Sequence, residues 1–584
     1  MRNSKFLITL TGLGVLTVLV LLLSGCGPSK MQIPESEKSA QGVVLEDFLP
    51  ENTIMSFSIN THDALQKDKF EKIKSYFPSD DFENLVKSAL EDLNMELTSS
   101  GLTYENDIAP IFSDSFKAVF AMSGNLYEKN SDPDIYIAFT IGDEQKAEAL
   151  IKTAAERNRN LEIKKPFDFL ALDNEKKEMF LALYKDTILI TNTSKTRYEA
   201  LKRQRNNEPS LLANENFKKA YESLPKPNLG IAYINVQNLF EDLAKLEGSD
   251  MKNVPYINAL TFEAFALMAE SDGLKMIVQV GFNPDEKNFS LADFPYKEPY
   301  LYKKIPGNDL LIYTEAYGLK EIFDLQTQML LASEDDRKDF ENAKKMIKKY
   351  VNLDIDKDVL TWMDKGYALV IQRNNDIIPG ISFYIDASSD TRGAAKTLEV
   401  IDSAFDQLVE TLKKESLQVP AGKIIAKETV ETNRGNINKV SFNFSDLSKE
   451  ELDALNLPSG FFTEPVEVWY GLTRDNLFVF STLAGLDEGL NSENTVDKNP
   501  LIVEAMGHIK DYPCQLSYIS IDEAVIYAER FIETMILIEG EPPKDVSEGF
   551  AKVKEYLAPV KYLVGGNQKV ENIAEGMMFI KIGE

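Results

Sequence analysis

The sequence predicts an α+β fold: two tandem related halves, each of mainly antiparallel strands with packed helices. Three observations carry that prediction. Strand-length apolar runs come in pairs joined by short turns, and helical stretches follow the strand pairs. The same series of segments then occurs a second time, in the same order.

The chain opens on an address. Arg2 and Lys5 precede an apolar run from Phe6 to Leu23, and Leu23-Ser24-Gly25-Cys26 follows. Small residues before a cysteine fit a lipoprotein signal peptide over residues 1–25, cleaved between Gly25 and Cys26. The Cys26 thiolate is the group there that can accept a diacylglycerol. Several acyl chains hold a bilayer far more durably than one, so the expectation is a lipid-anchored, extracytoplasmic protein whose membrane contact is Cys26. An uncleaved transmembrane helix is the competing reading of the same run. Residues 26–45 are polar with turn formers, as in a flexible tether.

The first half is expected over 46–283 and the second over 302–584, with a polar, proline-bearing linker at 284–301. Each half starts with a proline and a strand, at Pro50 with Thr53–Ile59 and at Pro306 with Leu310–Thr314. Met55, Phe57 and Ile59 alternate with Ser56, Ser58 and Asn60, which is the period of a half-buried strand. A helix with Asp81-Phe-Glu-Asn84 recurs as Asp339-Phe-Glu-Asn342. Its apolar stripe in the second half, Phe340, Met346, Ile347 and Tyr350, should face the core. Asp107 and Asp358 correspond just before the next strands, 116–122 and 367–371. The strands 135–141 and 381–385 then lead into helices near 143–157 and 391–414. Hairpins follow at 180–191 and 468–481, turning at Lys185-Asp186 and Arg474-Asp475-Asn476. Leu229–Val236 parallels Cys514–Ile521, and each half closes on a strand, 273–280 or 576–582.

The chain resembles a family of uncharacterised bacterial proteins, the DUF3352 group. The likeness lies in Leu49-Pro50-Glu-Asn-Thr, in Tyr104-Glu-Asn-Asp-Ile-Ala-Pro110 and in the segment Lys226-Pro-Asn-Leu-Gly-Ile-Ala-Tyr-Ile-Asn-Val236. It covers most of residues 46–582. The resemblance implies an extracytoplasmic, often membrane-tethered α+β protein, and implies no particular chemistry.

Composition narrows the function. With 93 acidic against 64 basic residues the net charge is −29, and loss of Arg2 and Lys5 with the signal peptide takes it to −31. Such a surface repels nucleic acid, which needs clustered Lys and Arg. Anionic headgroups are repelled too, so the body should stand off the membrane. Cys26 and Cys514 are the two cysteines, so the lipidated chain has no internal disulfide. Catalytic signatures are missing: there is no Gly-x-Ser-x-Gly elbow and no phosphate-binding Gly-x-x-x-x-Gly-Lys-Ser/Thr. Cys514 has His508 six residues earlier, but its counterpart is Leu229, which points to a buried structural thiol. His62 and His508 lie too far apart in sequence to suggest zinc. Asp354, Asp356 and Asp358 are spaced like a calcium loop, yet Val359 and Lys365 stand where that loop needs Gly and Glu.

No catalytic, cofactor or metal residue is therefore assigned, and no cofactor is expected. The leading expectation is a non-enzymatic binding or scaffold protein of the envelope, with an envelope protein as partner. A carrier or sensor for an apolar ligand in a groove between sheet and helices is one alternative. An envelope hydrolase using paired carboxylates is the other.

Overall fold

A computed structural model gives the structure of the chain. It describes residues 44–61, 63–78, 103–112, 116–124, 133–157, 161–165, 169–174, 180–240, 258–286, 295–330, 334–374, 378–414, 424–454, 464–539 and 544–583. Gly25, Cys26, His62 and the helix sought around Asp81–Asn84 lie outside them. The fold is α+β, and every strand pairing within a unit is antiparallel. The described chain divides into two compact units that meet in sequence between Asn283 and Pro284.

The first unit has ten strands: β1 (Met55–Asn60), β2 (Lys117–Ser123), β3 (Asp134–Thr140), β4 (Leu161–Lys164), β5 (Leu170–Asn174), β6 (Phe180–Tyr184), β7 (Thr187–Thr191), β8 (Gly230–Ile234), β9 (Leu260–Glu270) and β10 (Gly273–Phe282). Their order across the sheet is 4-5-6-7-3-2-1-8-9-10. The described residues of the unit also include helices α1 (Ala64–Lys74), α2 (Glu144–Arg157), α3 (Ser194–Asn206) and α4 (Glu215–Ser223). Short polar side chains start three of them. Asp63 accepts from Gln66 N–H, Thr193 from Thr196 N–H and Asn214 from Phe217 N–H, each meeting a donor the first helical turn leaves open. At the β6–β7 turn Lys185 takes φ 51°, the left-handed geometry a tight hairpin needs.

The second unit has β11 (Leu310–Tyr317), β12 (Gly366–Gln372), β13 (Gly380–Asp386), β14 (Ile425–Thr432), β15 (Gly435–Phe442), β16 (Val466–Leu472), β17 (Leu477–Ser481), β18 (Leu516–Ser520), β19 (Val560–Val570) and β20 (Ile573–Ile582). Their order is 14-15-16-17-13-12-11-18-19-20, which matches the first unit strand for strand. Its helices are α5 (Leu319–Leu330), α6 (Glu334–Val351), α7 (Thr391–Lys414), α8 (Lys449–Ala454), α9 (Leu486–Asn491), α10 (Pro500–His508), α11 (Ile521–Glu539) and α12 (Lys544–Leu557). Register places Ser56 opposite Tyr233 and Tyr313 opposite Tyr518, so Ser58 and Glu315 occupy the same position in the two sheets.

One face of each sheet is sealed. In the first unit the cross-strand row Ile277, Ala266, Ile231, Ser58, Val119, Ala138, Leu189, Ala182 and Ala171 is 7% exposed or less except at Ser58, which is half-buried. Small residues there let α3 and α4 approach closely, and Ala200, Leu201, Phe217 and Ala220 on those helices are buried. Leu45, assigned to the tether from sequence, is 1% exposed and lies in a 3-10 turn that belongs to the body. In the second unit the matching row Leu516, Glu315, Ala368, Tyr384 and Val479 and the neighbouring row Tyr313, Val370, Ser382, Ser481 and Trp469 are all 1% exposed or less. The Ser382 and Ser481 hydroxyls meet at 2.6 Å across the strands, so neither is stranded in the core.

The end of the expected linker is also part of the core. Leu301 is fully buried, and the N–H groups of Tyr300, Leu301 and Tyr302 all donate to the Glu315 carboxylate at 2.5, 2.6 and 2.9 Å. Tyr313 adds its hydroxyl at 2.7 Å. These donors make a buried carboxylate tolerable. At the equivalent place in the first unit Ser58 makes one hydroxyl contact, 3.3 Å to Ile231 O.

Candidate functional site

The other face of each sheet is covered far less. In the first unit one register row crosses all ten strands: Val278, Phe265, Ala232, Phe57, Phe120, Ile137, Ile190, Leu181, Leu172 and Ile163. Every member is apolar and none is fully buried; Phe57 is 43% exposed and Ile163 37%. This corrects a simple reading of β1. Its apolar alternation is real, yet Phe57 on that side is open while Ile59 is 4% exposed, and Ser56 on the opposite side is 8% exposed. Met122 and Ile135 on this face are buried at one end, and α2 closes the other. There Ala147 and Ile151 of α2 join Ile111, Ile141, Leu183 and Ile188 in a buried cluster.

The second unit repeats the arrangement with a smaller opening. Phe383 is 44% exposed and Ile381 39%, beside the half-buried Leu369, Ile371 and Phe480. Trp362 and α7 close one end, through Ile385, Ala387, Ala394 and Phe478. Thr314 and Ser517 stand where the first unit has Phe57 and Ala232, so the open apolar strip is shorter. The helix α6 corrects the sequence expectation. Phe340 and Ile347 are half-buried, but Met346 is 59% exposed and Tyr350 72%, so that stripe does not all face the core.

The acidic clusters are engaged in structure. Asp354 caps a single π-helical turn by accepting from Lys357 N–H, and Asp358 accepts from Asp354 N–H at 2.8 Å. Thr103 and Asp107 make the same pair of contacts in the first unit. The three carboxylates Asp354, Asp356 and Asp358 each meet a lysine: Lys348, Lys344 and Lys396. The Lys396 contact, the largest influence, and Asp354 N–H hold the Asp358 carboxyl below the usual range. In the first unit Arg197, 4% exposed, pairs with Asp173 and donates to Leu181 O at 3.2 Å. Burial raises the Asp173 carboxyl, but Lys164 and Arg197 outweigh it and hold it low.

A polar cleft of about 230 Å³ in the second unit is lined by Asp309, Gln372, Arg373 and Asn374 among others. Its groups are tied to one another. Arg373 pairs with Asp309 at 2.9 Å and Glu523 at 3.3 Å, and Gln372 donates to Asn308 O at 2.7 Å.

Cys514 is half-exposed, which corrects the expectation of a buried thiol; it precedes β18 and donates its N–H to Asn567 O at 3.0 Å. Leu229 makes the same bond to Leu267 O in the first unit, at 2.8 Å. Partial burial, with Glu298 nearby, pushes the thiol pKa up and away from the reactive thiolate. His508 stacks on Phe579 with ring centres 3.8 Å apart. The sequence offered an apolar groove between sheet and helices as one alternative but did not show which face is open, because period two gives strand faces without saying what covers them.

Among the described residues no helix is long and apolar enough to cross a membrane. A family described as protein of unknown function (DUF3352) matches residues 10–539. No curated protein matches the chain. Among solved structures, crystal forms IV, III and I of TP0453 are similar at 12%, 12% and 11% identity. They cover 41%, 42% and 43% of this chain and 81%, 83% and 82% of their own, each with a TM-score of 0.24.

Proposed function

The chain belongs to the DUF3352 family, and from that premise we propose that it is a lipoprotein of the cell envelope, tethered through Cys26, whose units hold an apolar ligand of the acyl-chain class against the half-open face of their sheets. One observation carries the reading. Both units bury the central strands of one sheet face and leave the other face partly bare, with Phe57, Ile381 and Phe383 at 39–44% exposure. A bare apolar face of this kind marks a binding surface rather than a packing fault. In the first unit the row is elongated, uncharged and unbroken across ten strands, which suits a long, flexible hydrocarbon better than a compact polar solute. The signal sequence supports the tether: it ends in Leu23-Ser24-Gly25-Cys26. A hydrolytic role has less support, because the acidic groups described above are spent on lysines, arginines and backbone N–H groups.

The test is a titration of the full-length protein with Nile red, a neutral apolar dye. Saturable binding is expected, weakened at least about tenfold in the double variant Phe57→Ser/Phe383→Ser with thermal unfolding unchanged. Non-saturable binding, or binding indifferent to both substitutions, would overturn the proposal.

A further inference from the structure

The C-terminal half of α6 is a basic segment in an acidic chain. In a chain of net charge −29 it reads Lys344-Lys345-Met346-Ile347-Lys348-Lys349-Tyr350-Val351, without an acid. The acids of this helix, from Glu334 to Glu341, all lie in its first half. Lysines near a helix C-terminus are favoured by the helix dipole, and that explains their position. It does not explain what accompanies them. Met346, Tyr350 and Val351 are 59%, 72% and 44% exposed. Met346 and Tyr350 are four residues apart and share one side of the helix.

The lysines divide in two. Lys344 and the exposed Lys348 are neutralised by Asp356 and Asp354. Lys345 and Lys349 are exposed, and the Lys349 ammonium lies 4.9 Å from the centre of the Tyr350 ring. Exposed ammonium groups beside an exposed aromatic and a thioether are the chemistry of an interfacial helix. Cations meet phosphate headgroups while the ring and thioether enter the headgroup–acyl boundary.

We infer that residues 345–351 of α6 are a second membrane contact, which lays the second unit on an anionic bilayer surface. The charge carries the choice of partner. The body as a whole repels anionic lipid, and this patch is a local inversion of that sign with apolar side chains beside it. A second copy of the chain, acidic overall, would also attract the lysines, but it offers no acyl interior for the exposed Met346 and Tyr350 beside them, and that favours the bilayer. The inference rests on the tethered reading only in that the anchor brings the helix near the membrane.

The experiment uses the full lipidated chain carrying Tyr350→Trp. The native Trp362 and Trp469 are 0% and 1% exposed, so the new residue reports separately. The protein is mixed with vesicles of phosphatidylglycerol and phosphatidylcholine, or of phosphatidylcholine alone, each containing brominated acyl chains. Flotation with the phosphatidylcholine vesicles reads the anchor, and Cys26→Ser abolishes it there if the tether is real. Quenching and blue shift of the new tryptophan read the helix whether or not the chain floats. Expected are strong quenching in the phosphatidylglycerol vesicles, and partition about tenfold weaker or more after Lys345→Glu/Lys349→Glu. Unchanged emission in the anionic vesicles overturns the inference. So does a blue shift that grows with protein concentration in the absence of vesicles, which would assign the patch to a second copy.

Discussion

Phe383 and Tyr384 are neighbours on one strand, yet Phe383 is 44% exposed and Tyr384 is fully buried. The same contrast separates Ile190, half-buried, from Leu189, fully buried, in the first unit. Side chains alternate across a strand, so each pair samples the two faces of one sheet. The sealed face carries the stability of the fold, with alanines and aromatics interlocked under short helices. The bare face costs exposed apolar surface that a purely structural sheet would cover. Its presence at the same side of both sheets is what makes it a candidate for function.

The largest effect should come from breaking the sealed face. Tyr384→Ala is expected to cost about 3–5 kcal/mol, the usual range for deleting a buried aromatic ring. Phe383→Ala, one residue away, should cost under about 1 kcal/mol. Urea unfolding of the two variants checks this, and equal losses would erase the distinction between the faces.

A smaller effect sharpens the comparison between units at Glu315 and Ser58. Burial, the dominant influence, raises the Glu315 carboxyl above its ordinary value, although the N–H groups of Leu301, Tyr300 and Tyr302 and the Tyr313 hydroxyl pull it down. A carboxyl raised in the folded state binds more protons than in the unfolded chain. Stability therefore falls as pH rises from the ordinary glutamate value of about 4.3 through the raised one. Glu315→Gln should remove that slope while costing about 1–3 kcal/mol through mismatched donors. Urea titrations across this range read both; an unchanged slope in the variant would show that other groups set it.

Much of the fold was legible in sequence because strong signals coincide. The β6–β7 and β16–β17 hairpins have largely apolar runs on both arms and turn formers between them. The strands β9 and β19 were passed over for a physical reason. β9 spends its sealed face on Ala264 and Ala266, whose small side chains signal no strand, and β19 carries Gly565, Gly566 and Asn567. β4 and β14 are rich in charge, as the exposed ends of a sheet allow, and so lack the expected pattern. At the candidate site, the aromatic residues were visible but their exposure was not. Whether Phe57 is core or surface depends on what lies over it, and α6 shows how a helical stripe can be read correctly as a stripe and wrongly as buried.

The most direct test of the half-open face is photo-crosslinking of the full-length protein with a diazirine-bearing fatty acid, followed by peptide mapping. Labels should fall on β1 and β2 around Phe57 and Phe120, and on β12 and β13 around Leu369 and Phe383, competed by unlabelled fatty acid. Labelling that avoids these strands, or that competitor does not reduce, would contradict the account.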